Sequence, residues 1–199
     1  MAGGEAMVAH GTLYGVGVGP GDPELMTLKA SRIVAAAPVI AYFAAAGKAS
    51  TARGIAGSYF SGGSIELALE VPMLSEREPA QAAYDKAAAA IAGHLESGLD
   101  VAMLCEGDPF FYGSFMYLFA RLARTHRTIV VPGVTSITAA AAAVGRPLAA
   151  RDEVLKIVPA TLDAARLRAE LTAIESAAII KVGRHFGKVR SILAGLDLL

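Results

Sequence analysis

The chain has 199 residues and a formal net charge of zero, because 18 lysine and arginine residues balance 18 aspartate and glutamate residues. This balance gives no electrostatic case for a nucleic acid or an anionic membrane surface as partner, and we expect neither. Hydrophobic residues make up 54% of the chain and charged residues 18%, which excludes a disordered protein. A single cysteine excludes an internal disulfide, so we expect a reducing, cytoplasmic location.

The stretch Leu13–Glu24 is an apolar strand that runs into a glycine-rich turn. A loop nearly free of side chains lets a ligand approach its backbone closely. At the carboxyl end of a strand in an α/β sheet, such a loop is a binding position. Asp22 and Pro23 then predict the start of a helix, with Asp22 as its N-cap. The glycines alternate with other residues at Gly15, Gly17, Gly19 and Gly21.

Two nucleotide-binding motifs do not fit the sequence. The dinucleotide fingerprint requires glycine where Pro20 or Asp22 stands, and an acidic residue about 20 positions further on. No Asp or Glu occurs between Glu24 and Glu66. The stretch 183–189 has the wrong spacing for a Walker A loop and lacks Ser or Thr after its lysine. A nicotinamide-dependent oxidoreductase therefore remains only a minor alternative.

Apolar periodicity and Gly/Pro punctuation predict strands and helices in regular alternation. Such alternation predicts an α/β fold with a parallel sheet and right-handed crossovers. In chain order after the glycine-rich strand, we predict a helix over 26–37, strand 39–43, a loop with one short helix over 44–63, strand 65–71, helix 79–98, strand 101–105, helix 115–122, strand 128–131, helix 139–144, strand 154–158, helix 163–174, strand 177–182 and helix 187–196.

A domain boundary is predicted within a few residues of Ser136, after the break at Pro132-Gly133. This gives an N-terminal α/β domain over 1–136 and a C-terminal α/β domain over 137–199. Two strands do not make an independently stable sheet, so the second domain looks incomplete. We expect further residues or another chain to complete it.

Two further loops follow predicted strands at the same sheet edge as the glycine-rich turn. One is Glu106–Gly113, with Gly-Asp-Pro at 107–109, and the other is Val131–Ser136. Gly-Asp-Pro alone is common turn chemistry. Three such loops at one edge are much less expected by chance, so we predict a binding site there.

In this order and composition, the three loops resemble the signature motifs of the tetrapyrrole methylases, which use S-adenosylmethionine in corrin and sirohaem synthesis. The resemblance runs from Thr12 to the last residue. The stretches 107–115, 151–155 and 180–186 are most similar to the family members that methylate precorrin-2 at carbon 20 in cobalamin biosynthesis. It implies the two-domain fold of that family, a C-terminal domain that continues past Leu199, and methyl transfer from S-adenosylmethionine to precorrin-2, giving precorrin-3A. Family members are generally homodimers, which implies a dimer here.

The resemblance also implies which residues bind the two ligands. Paired arginines suit the carboxylates of an anionic tetrapyrrole. The cofactor positions are Pro20, Gly107, Asp108, Pro109, Tyr112, Thr135, Ser136, Lys181 and Val182, and the expected substrate positions are Gly19, Arg146, Arg151, Arg184 and His185.

The chemistry leaves some assignments open. No general base declares itself; Glu106 and Asp108 are candidates by position, and holding the loop is an equal alternative for both. The 4 histidines lack metal-ligand spacing, so no metal is expected. Three further alternatives stay open: methylation at another corrin position, methylation of a protein histidine or a ribosomal RNA, and a fragment that binds the cofactor without turnover.

Overall fold

The computed structural model describes residues 10–45, 47–70 and 77–199. Its backbone divides into two compact units, Met1–Ser136 and Ile137–Leu199. Strands and helices alternate along both units. They are β1 Leu13–Gly17, α1 Leu28–Ala36, β2 Val39–Ala44, α2 Thr51–Ala56, β3 Ile65–Glu70, α3 Arg77–Glu96, β4 Val101–Cys105, α4 Phe115–Leu122, β5 Thr128–Val131, α5 Ser136–Ala143, β6 Leu155–Pro159, α6 Ala164–Leu171, β7 Ser176–Ile180 and α7 Phe186–Ala194.

The first unit contains a five-stranded sheet in the order β3-β2-β4-β1-β5. Every neighbouring pair is parallel, and Leu13 of β1 stands opposite Val101 of β4 and Thr128 of β5. All five residues of β4 are buried, as expected for a strand with helices on both faces. The predicted parallel α/β fold is therefore confirmed.

Each face of this sheet has its own apolar core, because strand side chains alternate between the faces. On one face the strands pack against α3 and α4, with Leu13, Met103, Ile91, Leu118 and Phe115 among the buried residues. On the other face they pack against α1 and α2, with Val16, Leu104, Val34, Ile40 and Ile55 among the buried residues.

The second unit pairs β6 with β7 in parallel, with Val158 opposite Ile179. Its core lies between one face of this pair and helices α6 and α7, and it includes Leu167 and Ile192. Ile157 and Ile180 lie on the other face by strand alternation, and both are half-exposed. Within the described residues, the sheet of this unit has two strands.

Asp22 caps a helical turn, as predicted, since its Oδ1 accepts the Glu24 amide at 2.8 Å. That turn is a short 3-10 helix over Pro23–Leu25 and does not continue into α1. The backbone extends again at Met26, with φ −69° and ψ 137°. Helix α1 therefore begins at Leu28, and its cap is Thr27, whose hydroxyl accepts the Ala30 amide at 3.1 Å.

Other element boundaries also differ from the predictions. Helix α3 already includes Arg77, two residues before the predicted start at Pro79, and it ends at Glu96. Helix α5 begins at Ser136 and α6 ends at Leu171. The predicted strand end at Val71–Pro72 lies outside the described residues.

Candidate functional site

Two loops meet at the carboxyl ends of β1 and β4. We call residues 18–22 the glycine loop and residues 106–114 the Gly-Asp-Pro loop. The Val18 amide donates to the Cys105 carbonyl at 2.9 Å, which continues the strand pairing. Beyond it, the Gly107 amide donates to the Gly19 carbonyl at 2.8 Å, and the Gly19 amide donates back at 3.4 Å. The two loops are therefore held backbone to backbone.

The segment after β5, residues 132–135, joins the other two, and we call it the third loop. Its Gly133 amide donates to Oδ2 of Asp108 at 3.0 Å. The other oxygen, Oδ1, accepts the amide of Phe110 at 2.9 Å. Both oxygens of this carboxylate thus bind main-chain amides, one within its own loop and one in the third loop.

The closeness of the loops explains three of the glycines. A Cβ on Gly17 would lie 2.6 Å from the Gly133 nitrogen and 2.7 Å from the Gly107 oxygen, and a Cβ on Gly133 would overlap that same oxygen. A Cβ on Gly15 would overlap the ring of Phe115. Gly15 and Gly17 therefore serve contacts inside the protein, which corrects the prediction that all the alternating glycines leave backbone bare for a ligand.

Exposed backbone remains at Gly21, whereas Gly107 is buried although it has room for a Cβ. A Cβ on Gly21 would meet no atom within 4 Å, and one on Gly107 would approach only the Val134 oxygen, at 3.9 Å. Gly19 and Gly107 have φ of +83° and +69°, a region that glycine adopts without a steric cost. Of these three glycines, Gly21 on the glycine loop is the exposed one.

Aromatic side chains anchor the Gly-Asp-Pro loop to α4. Phe110 packs edge-on against Phe119, with centroids 5.0 Å apart, although it stays 48% exposed. Tyr112 has φ +54°, which is uncommon for a residue other than glycine, and its ring lies edge-on to Phe111 at 5.1 Å. Strained backbone of this kind often marks a functional segment.

The structure places the predicted cofactor residues of the first unit on these three loops. Pro20 is half-exposed in the glycine loop, and Pro109 is buried in the Gly-Asp-Pro loop. Thr135 is half-exposed in the third loop, and Ser136 is exposed as the first residue of α5. Seven predicted positions are thereby brought to one sheet edge: Pro20, Gly107, Asp108, Pro109, Tyr112, Thr135 and Ser136.

The remaining predicted residues lie in the second unit. Lys181, with φ +55°, and Val182 follow β7 directly, and Arg184 and His185 belong to the 3-10 turn Gly183–His185 after them. These four form one segment at the carboxyl end of a strand. Arg146 and Arg151 are exposed on the connection between α5 and β6.

The neighbouring thiol has no nucleophilic role. Cys105 is 8% exposed at the end of β4, and burial raises the pKa of its thiol well above the ordinary range, with the Asp108 charge acting in the same direction. The thiol therefore stays protonated at neutral pH. Among the described residues, no group of three His, Cys, Asp or Glu side chains is placed to hold a metal ion. In that part of the chain, no helix has the length and apolarity needed to cross a membrane.

Sequence reasoning missed the steric role of Gly133 and the bond between Asp108 and its amide. The sequence predicts Gly133 as part of the break after β5 and of the loop Val131–Ser136, without a partner for its backbone. The residues that meet there are 25 positions apart, and no periodic pattern links them. The available signal was that each of the three strand-end loops carries a glycine just after its strand.

Comparisons with known proteins agree with the motifs. The model of the family "Tetrapyrrole (Corrin/Porphyrin) Methylases" matches residues 12–198. The chain is 45% identical over 201 residues to the cobalamin biosynthesis protein CobIJ of Mycobacterium bovis, covering 97% of this chain but only 40% of that protein. It is 41% identical over 195 residues to the precorrin-2 C(20)-methyltransferase of a Sinorhizobium species, covering 94% of this chain and 80% of that one.

A solved structure shares the fold. The uroporphyrin-III C-methyltransferase of Thermus thermophilus, complexed with S-adenosylhomocysteine, superposes with a TM-score of 0.65 and 25% identity, over 92% of this chain and 72% of that one. The family match spans nearly the whole chain, and the Sinorhizobium relative is similar over most of its own length. The chain belongs to the tetrapyrrole (corrin/porphyrin) methylases.

Proposed function

We propose that this chain is an S-adenosylmethionine-dependent methyltransferase that transfers a methyl group to carbon 20 of precorrin-2 in cobalamin biosynthesis, giving precorrin-3A. The observation that carries this proposal is the 41% identity to a precorrin-2 C(20)-methyltransferase, 80% of whose length the chain covers. The CobIJ proteins support the pathway, although the chain spans only 40% of their length.

The residues at the strand ends fit the proposed cofactor. S-adenosylmethionine supplies an electrophilic methyl group on a sulfonium sulfur. A ligand of this size needs backbone that side chains do not cover, and on these loops Gly21 is exposed, with no atom within 4 Å of the position of a Cβ. The residues that would hold it are Pro20, Gly107, Asp108, Pro109, Tyr112, Thr135 and Ser136 in the first unit and Lys181 and Val182 in the second.

The substrate positions would bind the acidic side chains of the macrocycle. Arg146, Arg151 and Arg184 offer planar forks of N–H donors that match carboxylates, and His185 adds another donor when protonated. Gly19, the remaining predicted position, is buried in the glycine loop, and a Cβ there would lie 3.3 Å from the Leu25 oxygen. Because positions on the second unit are exposed, they are accessible to a ligand from solvent.

The protein needs to contribute little covalent chemistry to this reaction. The reduced macrocycle is an electron-rich carbon nucleophile: a carbon–carbon bond forms, the sulfur–methyl bond breaks, and a proton leaves the methylated carbon to a base. Holding the two reactants in line lowers the barrier without further chemical assistance. We therefore assign the side chains above to binding and orientation.

Calorimetry followed by turnover tests this proposal. We expect the purified chain to bind S-adenosylhomocysteine and not NAD, and to convert precorrin-2 into a product one methyl group heavier. NMR of the product made with a ¹³C-labelled methyl donor then locates the new methyl. A signal at carbon 20 agrees with the proposal, whereas NAD binding or binding without turnover contradicts it.

Methylation at another corrin position is the second candidate. The arginine and histidine positions would bind the carboxylates of any precorrin, so they support a tetrapyrrole substrate without selecting the carbon. The same NMR experiment separates the two candidates. We also propose that the protein is a homodimer, as the family resemblance implies, and that it is cytoplasmic, since a single cysteine suits a reducing compartment.

A further inference from the structure

We propose that Asp108 is a positioning residue: its carboxylate ties the Gly-Asp-Pro loop to the third loop and so preorganises the cofactor-binding backbone, and it does not act as the base. This inference rests on the proposed function, because it concerns the same cofactor. Of the two roles that the sequence left open for this residue, general base and holding the loop, it selects the second and names the loop that the carboxylate reaches.

The first step of the argument is the geometry of the carboxylate. Its two oxygens accept two main-chain amides, Phe110 at 2.9 Å and Gly133 at 3.0 Å. Hydrogen bonds to an ionised acceptor are stronger than neutral ones, so this pair holds the two loops more firmly than turn geometry alone. An amide or a methyl side chain at this position cannot make both bonds.

The second step concerns the chain segments that the two hydrogen bonds of Asp108 hold in place. Gly133 lies against Gly17 and Gly107 with no space for a side chain, so the third loop can sit there only in one close arrangement. The ring of Phe110 packs against Phe119 of α4, and Phe110 lies two residues before Tyr112, whose backbone is strained. One carboxylate therefore sets the position of both chain segments that follow β4 and β5.

The third step concerns the alternative role as base. A general base must accept a proton on an oxygen that faces the substrate. Each oxygen of Asp108 already accepts a main-chain amide, and protonation of either one would weaken the bond to Phe110 or to Gly133. Proton transfer to this group would therefore loosen the site during the reaction.

The experiment compares Asp108→Asn and Asp108→Ala with the wild type and with a matched control. The control is Asp163→Asn, which also removes a carboxylate that accepts a main-chain amide, that of Arg166 at 2.9 Å, but at the N-terminus of α6 in the second unit. All chains are full length, and each is checked for cooperative unfolding.

The first readout needs no ligand. We expect amide hydrogen exchange at Gly133 and Phe110, measured by NMR, to be about tenfold faster in Asp108→Asn than in the wild type, and unchanged in Asp163→Asn. Unchanged exchange at both amides would overturn the inference whether or not the proposed function holds. If Asp108→Ala fails to fold, Asp108→Asn keeps this readout, since it retains one acceptor oxygen.

The second readout separates positioning from catalysis. We expect the Kd for S-adenosylhomocysteine and the KM for S-adenosylmethionine to rise about tenfold in Asp108→Asn, while kcat at saturating cofactor stays within about threefold of the wild type. A kcat lower by about a hundredfold or more at unchanged Kd would identify a base and overturn the inference. If the wild type itself does not bind S-adenosylhomocysteine, the proposed function fails. The hydrogen-exchange measurement then still tests whether the Asp108 carboxylate holds the two loops together.

Discussion

Gly17, Gly107 and Gly133 stand where three strand-end loops touch through their backbones. Each comes from a different strand end, so the contact depends on tertiary structure and not on local turn preference. At Gly17 and Gly133 a single added carbon has no space, because the nearest atoms belong to main chain and cannot rotate away. These two glycines are therefore required by packing before any ligand is considered, whereas Gly107 is favoured by its positive φ of +69°.

The first prediction tests this packing with one methyl group. Gly17→Ala places a Cβ 2.6 Å from the Gly133 nitrogen, so we expect it to lower the free energy of unfolding by about 1–3 kcal/mol. The control is Gly54→Ala in α2, where a Cβ meets no atom within 4 Å and a helix gains about 0.5–1 kcal/mol. Urea denaturation measures both, and equal stability of the two variants would contradict the close loop contact.

The second prediction concerns the thiol of Cys105. Burial raises its pKa above the ordinary value, so the thiol stays protonated at pH 8, and the buried sulfur is shielded from reagents. We expect Ellman's reagent to detect no thiol in the native protein at pH 8 and one thiol per chain in 6 M guanidinium chloride. Fast labelling of the native protein would mean that the end of β4 is open to solvent.

At this scale the sequence predicted the positions of the loops but not their contacts. The apolar strands and the glycines after them placed residues such as Gly107 and Gly133 at one sheet edge. The partners of Asp108 could not be predicted, because a carboxylate in a turn can cap its own loop, bind a ligand or reach a distant amide. Only the folded arrangement of the strands distinguishes these roles.

Among the elements, α2 and the edge strand β3 are joined by a polar cluster. The Arg53 guanidinium donates to both oxygens of Glu66, at 2.8 and 2.9 Å, and the Tyr42 hydroxyl donates to the same carboxylate at 2.9 Å. The cluster spans α2, β2 and β3. It therefore fastens the edge of the five-stranded sheet to the helix that covers it.

The third prediction follows from the pKa of Glu66. Hydrogen bonds from Arg53 and Tyr42 lower this pKa in the folded protein, so the ionised form is favoured by folding. The contribution to stability is full above the unfolded pKa of about 4.3 and is lost as the pH falls through the lowered folded value. Because Arg53 and Glu66 are partly exposed, with side-chain exposures of 48% and 34%, solvent screening limits it to about 0.5–1 kcal/mol.

Thermal unfolding of Glu66→Gln against pH measures this contribution. We expect the variant to be less stable than the wild type at pH 7 and the difference to shrink once the pH falls below about 4.3. Glu70→Gln, at the other end of the described part of β3, serves as the control and should match the wild type at both pH values. A difference that grows in acid would contradict the sign of the shift.

The bounds of several elements were predictable because sharp signals flank them. Strand β4, helix α4 and strand β5 have the predicted bounds. An apolar run that ends at a glycine or begins at a capping residue leaves little choice for the bounds of its helix or strand. Helix α5 was predicted three residues late, since Ser136 is a weak helix former and its role as the first helical residue depends on the turn before it. Likewise, Asp22 and Thr27 can each cap the N-terminus of a helix, and the sequence alone does not show which of them precedes α1.

For the molecule as a whole, exposed apolar surface supports the proposed homodimer. Ile157 and Ile180 lie half-exposed on the uncovered face of the β6–β7 pair by strand alternation. In the first unit, Phe110, Met116 and Tyr117 on the Gly-Asp-Pro loop and α4 are 48%, 36% and 41% exposed. Apolar surface of this kind commonly marks an interface.

The fourth prediction is the mass in solution. We expect light scattering to give twice the mass of the chain at micromolar concentration. Ile157→Glu should shift the mass towards the monomer, because a charge is costly in an apolar interface. Leu28→Glu, at a side chain that is 81% exposed on α1, is the control and should stay dimeric. A monomeric wild type would refute the dimer.

The strand order has a consequence for how the protein is made. Strand β1 lies inside the sheet between β4 and β5, so it has no partner until the ribosome has delivered them. Thr12 bonds to Asp100, 88 residues later, a gap that translation at about 5–20 residues per second crosses in roughly 4 to 18 seconds. Strands β2 and β3 emerge in that interval and can pair with each other. The apolar segment that leads into the glycine loop is therefore exposed on the nascent chain for seconds, where we expect a chaperone to bind it first.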